Sequence, residues 1–140
     1  MSERVELQAE IDTPRAALFG LLATTEGLRR WLDDAELDAR VGGSVRLRMH
    51  DAEGIGQVLS LQPPQHISFS WDWVDEPLGA ASVVAFDAID HGARTHVTIR
   101  HVGLPGARQV DLHSRLWEYW LGRLVDAARA LPDKDEITHP

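Results

Sequence analysis

The chain has 140 residues, 14 basic and 22 acidic side chains and a net charge of −8, which fits a single domain and argues against a partner that presents phosphates, such as nucleic acid. It contains no cysteine, which excludes disulfides, thiolate catalysis, zinc–thiolate sites and iron–sulfur clusters. No apolar run is long enough to cross a bilayer and no signal peptide opens the chain, so a soluble, cytoplasmic protein without stable membrane insertion is expected.

Residues 5–11 alternate Val5, Leu7, Ala9 and Ile11 with polar side chains, the period of a half-buried strand. Thr13-Pro14 then suits the start of a helix over about residues 14–23, with Thr13 as its cap. Thr24 or Thr25 can cap a second short helix carrying Leu28 and Trp31. Residues 35–40 read as a short strand, and Gly42-Gly43 as a turn. Residues 44–51 alternate Val45, Leu47 and Met49 against Arg46, Arg48 and His50. A hairpin connection is expected at 51–54, followed by a strand over 55–62 that Pro63-Pro64 ends. Residues 66–74 alternate Ile67, Phe69, Trp71 and Trp73 against His66, Ser68, Ser70 and Asp72. Two further strands, 81–90 and 95–102, flank a turn at His91-Gly92. From about Arg108 to Leu131 a 3.6-residue apolar stripe, with Leu112, Leu116, Trp117, Trp120, Leu121 and Leu124, predicts one long helix. Gly122 within it is read as a point of close packing. The polar residues 132–140 form a tail after a domain spanning 1–131.

Short helices, a run of antiparallel strands and a closing helix are segregated, which is the pattern of an α+β fold. One sheet face is apolar, and the long helix is its natural cover. A strongly twisted antiparallel sheet of this size curls, which leaves space between sheet and helix.

Several features carry a family resemblance. They are Thr13-Pro14 after the first strand, Leu28-x-x-Trp31, Gly42-Gly43, Gly56, Pro63-Pro64, Ser70-Trp71, Thr95-x-Val97-x-Ile99-x-His101-x-Gly103-Leu104, and Trp117-x-x-x-Leu121-x-x-Leu124. In this order and spacing, over about residues 4–131, they resemble the activator of heat-shock-protein-90 ATPase homologue family of the START-like, or SRPBCC, superfamily. Leu116 departs from the pattern, since glycine often precedes the helix tryptophan. The resemblance implies a helix-grip fold, in which a curved antiparallel sheet of about six or seven strands wraps the C-terminal helix around an apolar cavity. It also implies a hydrophobic small-molecule ligand such as a lipid, polyketide or aromatic metabolite. The heat-shock ATPase contact that names the family also uses a separate N-terminal domain that is not expected in these residues, so a co-chaperone-like interaction module touching that ATPase stands here only as an alternative to ligand binding.

Five of the nine aromatic residues are tryptophan, and alternation aims them at one space. The expected ligand-binding set is Trp31, Met49, Phe69, Trp71, Trp73, Val84, Phe86, Val97, His101, Trp117, Trp120, Leu121 and Leu124. The same stripes serve equally as plain core. His101 shares the inward face with Val97 and Ile99. It is the one candidate for acid–base work in a cyclase-like enzyme, or for orienting a ligand; as a satisfied core histidine it would do neither. His96 and His101 are five apart and face opposite sides of their strand, and no other histidines show ligand spacing, so neither a metal nor another cofactor is expected. Arg46, Arg48, His50 and Arg100 lie on the outward face, balanced by neighbouring acids. The chain is expected as a monomer or homodimer, and binding without catalysis is the leading reading.

Overall fold

The computed structural model describes residues 4–131. Its elements follow the expected order: β1 (Val5–Ile11), α1 (Arg15–Leu22), α2 (Thr25–Leu28), β2 (Asp34–Leu37), β3 (Ser44–Met49), β4 (Ala52–Gln62), β5 (His66–Trp73), β6 (Ser82–His91), β7 (Arg94–Val102) and α3 (Gly106–Arg129). The strands form one seven-stranded antiparallel sheet in the order β1-β7-β6-β5-β4-β3-β2. Helix α3 covers its inner face, completing the helix-grip α+β architecture.

Alternation decides which side chains meet the helix. Val45, Leu47 and Met49 of β3, Phe69 and Trp71 of β5, Val84, Phe86 and Ala88 of β6, and Val97, Ile99 and His101 of β7 are all buried. From α3 they meet Trp117, Trp120, Leu121 and Leu124, also buried, because a stripe at i, i+3, i+4 and i+7 lies on one helix face. Trp31, just after α2, is wholly enclosed; its indole N–H donates to the Leu21 carbonyl at 2.8 Å.

Several local expectations are corrected. Thr13 does not cap α1: Pro14 holds the N-cap position with no side-chain bond. Thr13 is instead buried, and its carbonyl accepts from Thr95 Oγ1 at 2.6 Å. Of the two cap candidates for α2, Thr24 fills the position as expected, accepting from the Gly27 N–H at 2.9 Å. The β3–β4 turn falls at His50-Asp51, earlier than expected, so that β4 begins at Ala52. His50 takes a φ of 60° there, and its N–H donates to the Asp33 carboxylate at 2.6 Å. That left-handed residue ends the alternation, and His50 does not continue the outward Arg46–Arg48 row. Gly122 faces solvent with open space where a Cβ would stand, so it mediates no close packing. The proposed tail at 132–140 lies outside the described residues.

The outer face carries a second departure. Pairing of β4 with β5 slips between Val58 and Ser60, a bulge that places one extra residue in β4. Val58 stays buried inside, while Ser60 pairs with Ser68 on the outer side. Arg46 and Arg100 on that face are balanced as expected, by Glu36 and Glu53 and by Glu6 and Asp87.

Candidate functional site

Most of the thirteen expected ligand-binding residues pack against one another. Trp71 meets Trp73 edge to face at 5.1 Å between ring centres and lies 6.0 Å from Trp117. Phe86 meets Phe69, Trp117 and Trp31 at 5.5, 5.9 and 5.9 Å. Such edge-to-face contacts add about 0.5–1.5 kcal/mol per pair beyond area burial. The indole of Trp71 sits over Gly54, where a Cβ would fall 2.1 Å from the ring. The indole N–H groups of Trp71 and Trp120 find no acceptor among the described residues.

His101 is completely enclosed. Trp117 Nε1–H donates to its Nδ1 at 3.1 Å. Its Nε2 lies 3.0 Å from Ser82 Oγ, and Ser82 donates onward to the Trp71 carbonyl at 2.7 Å. An indole can only donate, so Nδ1 is the acceptor and Nε2 carries the proton. Every donor and acceptor in this chain is then satisfied by a neutral imidazole. Burial first, and then the nearby His113, push the His101 pKa down to about 3. Neither ring nitrogen is free to exchange a proton with a ligand. The acid–base expectation for His101 therefore has no geometric support.

His113 of α3, which sequence reasoning did not single out, stands beside it with the ring centres 5.0 Å apart. Its Nε2 accepts from Trp73 Nε1–H at 2.9 Å, and its Nδ1 donates to the Gln109 carbonyl at 2.8 Å. Burial lowers its pKa, and the Gln109 bond opposes that.

The open space lies at one end of this aromatic core. A cleft of about 610 Å³ opens between the β3–β4 turn, the β5–β6 loop and the first half of α3. Its apolar lining includes Met49, Trp73, Pro77, Leu78, Leu112 and Leu116. Around these stand Asp51, Glu53, Asp75 and Glu76, with His50, Gln109 and His113, and among the described residues no arginine or lysine borders it. Glu53 is engaged by Arg46. Asp72 shapes the loop, its carboxylate accepting from the Trp73 and Leu78 N–H groups at 2.9 and 2.7 Å. Of the expected ligand-binding set only Met49 and Trp73 line the cleft; Trp31, Phe69, Trp71, Val84, Phe86, Val97, His101, Trp117, Trp120, Leu121 and Leu124 lie behind it. Leu112 belongs to the predicted helix stripe, and its 45% exposure marks where that stripe leaves the core. The acids of the β5–β6 loop gave no periodic signal.

On the outer sheet face the β4 bulge assembles another ordered group. Ser60 Oγ lies 2.7 Å from His66 Nε2, and His66 Nδ1 lies 2.7 Å from Asp87 Oδ1. Ser68 also bonds Ser60, and Arg100 reaches Asp87 at 3.4 Å. This hydroxyl–imidazole–carboxylate order is that of an activated nucleophile. It lies outside the cleft, on the solvent side of the sheet, and it completes a polar ladder across the strands.

Residues 12–129 match the family described as Activator of Hsp90 ATPase homolog 1-like protein. Among solved structures, the fold resembles protein MLL2253 from Mesorhizobium loti, with a TM-score of 0.82 and 18% identity, over 93% of this chain and 99% of that one. CalU16 from Micromonospora echinospora gives 0.75 and 19%, over 96% and 80%. The Aha1 dimer from Colwellia psychrerythraea gives 0.74 and 21%, over 91% and 96%. No curated protein sequence matches the chain.

Proposed function

The chain belongs to the Activator of Hsp90 ATPase homolog 1-like family, and from that premise we propose that it binds an amphipathic small molecule in the cleft between sheet and α3, without catalysis. The observation that carries this reading is the composition of the cleft wall. An apolar surface from Met49, Trp73, Leu112 and Leu116 adjoins Asp51, Asp75 and Glu76, with no arginine or lysine among the described lining residues. The volume suits a small ligand, since such pockets run to about 300–1,000 Å³. Burying apolar surface supplies affinity. The carboxylates favour a ligand whose polar end is cationic or donates hydrogen bonds, and they penalise an anionic one. His113 and His101 are both saturated by bonds within the protein, which supports binding over a cyclase-like reaction.

The test is a titration of the full chain with a fatty amine, a fatty alcohol and a fatty acid of equal length, each below its micelle concentration, read by tryptophan fluorescence. Trp73 borders the cleft and reports occupancy. The expected order of affinity is amine, alcohol, acid. Absence of a saturable signal with all three overturns the reading; an acid that binds best overturns its electrostatic part.

A further inference from the structure

Strand register gathers a second set of chemically active side chains on the outer face, far along β7 from His101. Glu10 of β1 stands directly opposite His96 of β7. His96 in turn stands opposite Ile89 of β6, and His91 lies two residues beyond Ile89, on the same face. Directly opposed side chains are about 4.5–5.5 Å apart at Cβ and diagonal ones within about 7–8 Å, so two imidazoles and a carboxylate can converge. They do. One Glu10 oxygen lies 2.5 Å from His91 Nδ1, and the other bonds His96 Nδ1. One ligand atom from each of the three residues lies within 4.8 Å of the others.

We infer that Glu10, His91 and His96 form a binding site for one divalent transition-metal ion of the zinc class, with water completing the coordination. Two imidazole nitrogens and one carboxylate oxygen suit Zn²⁺, Ni²⁺ or Cu²⁺, whereas Mg²⁺ and Ca²⁺ prefer all-oxygen sets. Each neutral ring ligates through Nδ1 by taking the Nε2–H tautomer, its proton moving from Nδ1 to the solvent-facing Nε2, and the ligand atoms then open from direct hydrogen-bond contact to surround an ion about 2.0–2.2 Å from each. Access is direct, because His91 and Glu10 are exposed and His96 half-buried. The chain has no cysteine to compete for the metal.

Such an ion would tie three adjacent strands together. Among the described residues β1 is the sheet edge, paired with β7 alone, so coordination by Glu10 would pin that edge. The site shares no residue with the cleft, and metal binding and ligand binding are separable.

The experiment is a Zn²⁺ titration of the metal-free full chain at neutral pH, by calorimetry and thermal melting, with NMR of the histidine ring signals. One ion per chain is expected, with a raised Tm and selective shifts of the His91 and His96 rings. His91→Ala, His96→Ala and Glu10→Gln are each expected to weaken binding by about tenfold or more. Ni²⁺ and Cu²⁺ should bind at least as tightly as Zn²⁺, while Mg²⁺ and Ca²⁺ leave the rings unmoved. The ring signals of the unaltered chain decide the matter whatever a variant does to folding. Unmoved His91 and His96 signals under saturating Zn²⁺ overturn the proposal, as does Zn²⁺ binding that survives the His91→Ala/His96→Ala double substitution.

Discussion

Trp117 donates its indole N–H to Nδ1 of His101 at 3.1 Å, and this single bond sets the tautomer of the buried imidazole. Nε2–H then points to Ser82, whose hydroxyl bonds the Trp71 carbonyl. One unbroken hydrogen-bonded chain thus links α3, β7, β6 and β5.

Breaking that chain should be costly. His101→Ala leaves the Trp117 N–H unpaired and a void in the core; the two effects together are expected to destabilise by about 2–5 kcal/mol in a urea melt. His101→Asn keeps an acceptor for Trp117 and should cost clearly less. Equal losses for the two variants would show that the hydrogen bond is unimportant.

The same histidine makes stability depend on pH. Its folded pKa of about 3 lies below the unfolded value of about 6.5, and that of His113 is also lowered. Between those pH values the unfolded chain binds more protons. The stabilisation is therefore complete above about pH 6.5 and is lost as the pH falls toward 3. From pH 6.5 to 5, where most carboxylates remain ionised, unfolding free energy should fall, His101 contributing a limiting slope of about 1.4 kcal/mol per pH unit and His113 adding to it in the same direction. His101→Asn should flatten that slope; an unchanged slope would remove His101 as its source.

Gly54→Ala tests the seat of Trp71. The added Cβ would fall 2.1 Å from the indole, and the rigid ring is flanked by Trp73 and Trp117. Overpacking of this kind costs about 1–3 kcal/mol, with a matching drop in Tm and altered tryptophan emission. Gly122→Ala is the control: it meets open space on the α3 surface and should stabilise by up to about 1 kcal/mol through helix propensity.

Leu112→Trp should fill the cleft without disturbing the core, since Leu112 is 45% exposed. Stability should stay within about 0.5 kcal/mol of the parent, while fatty-amine binding falls by about tenfold or more, a loss of about 1.4 kcal/mol. Undiminished binding would move the ligand elsewhere. Asp75→Asn with Glu76→Gln should weaken the amine and leave the alcohol unchanged.

Much of this was legible in linear order. Alternation in β3, β5, β6 and β7 identified the inward residues because a strand has a period of two, and the 3.6-residue stripe of α3 identified the helix residues they meet. Alternation failed where the backbone left that period: at the left-handed His50, and at the β4 bulge that turns Ser60 outward toward His66 and Asp87. Gly122 misled because a glycine's role depends on what lies beside it, not on its place in a helix.

The amino-acid sequence by itself determined the fold class and family, the order of the elements, and the convergence of the tryptophans on the space between sheet and helix, since periodicity and local backbone preference are properties of short segments. Only the tertiary structure decided that most of those tryptophans plug that space, and that the opening lies instead between two loops and the first half of α3. It alone brought Glu10, His91 and His96 together, because pairing register joins residues more than eighty positions apart.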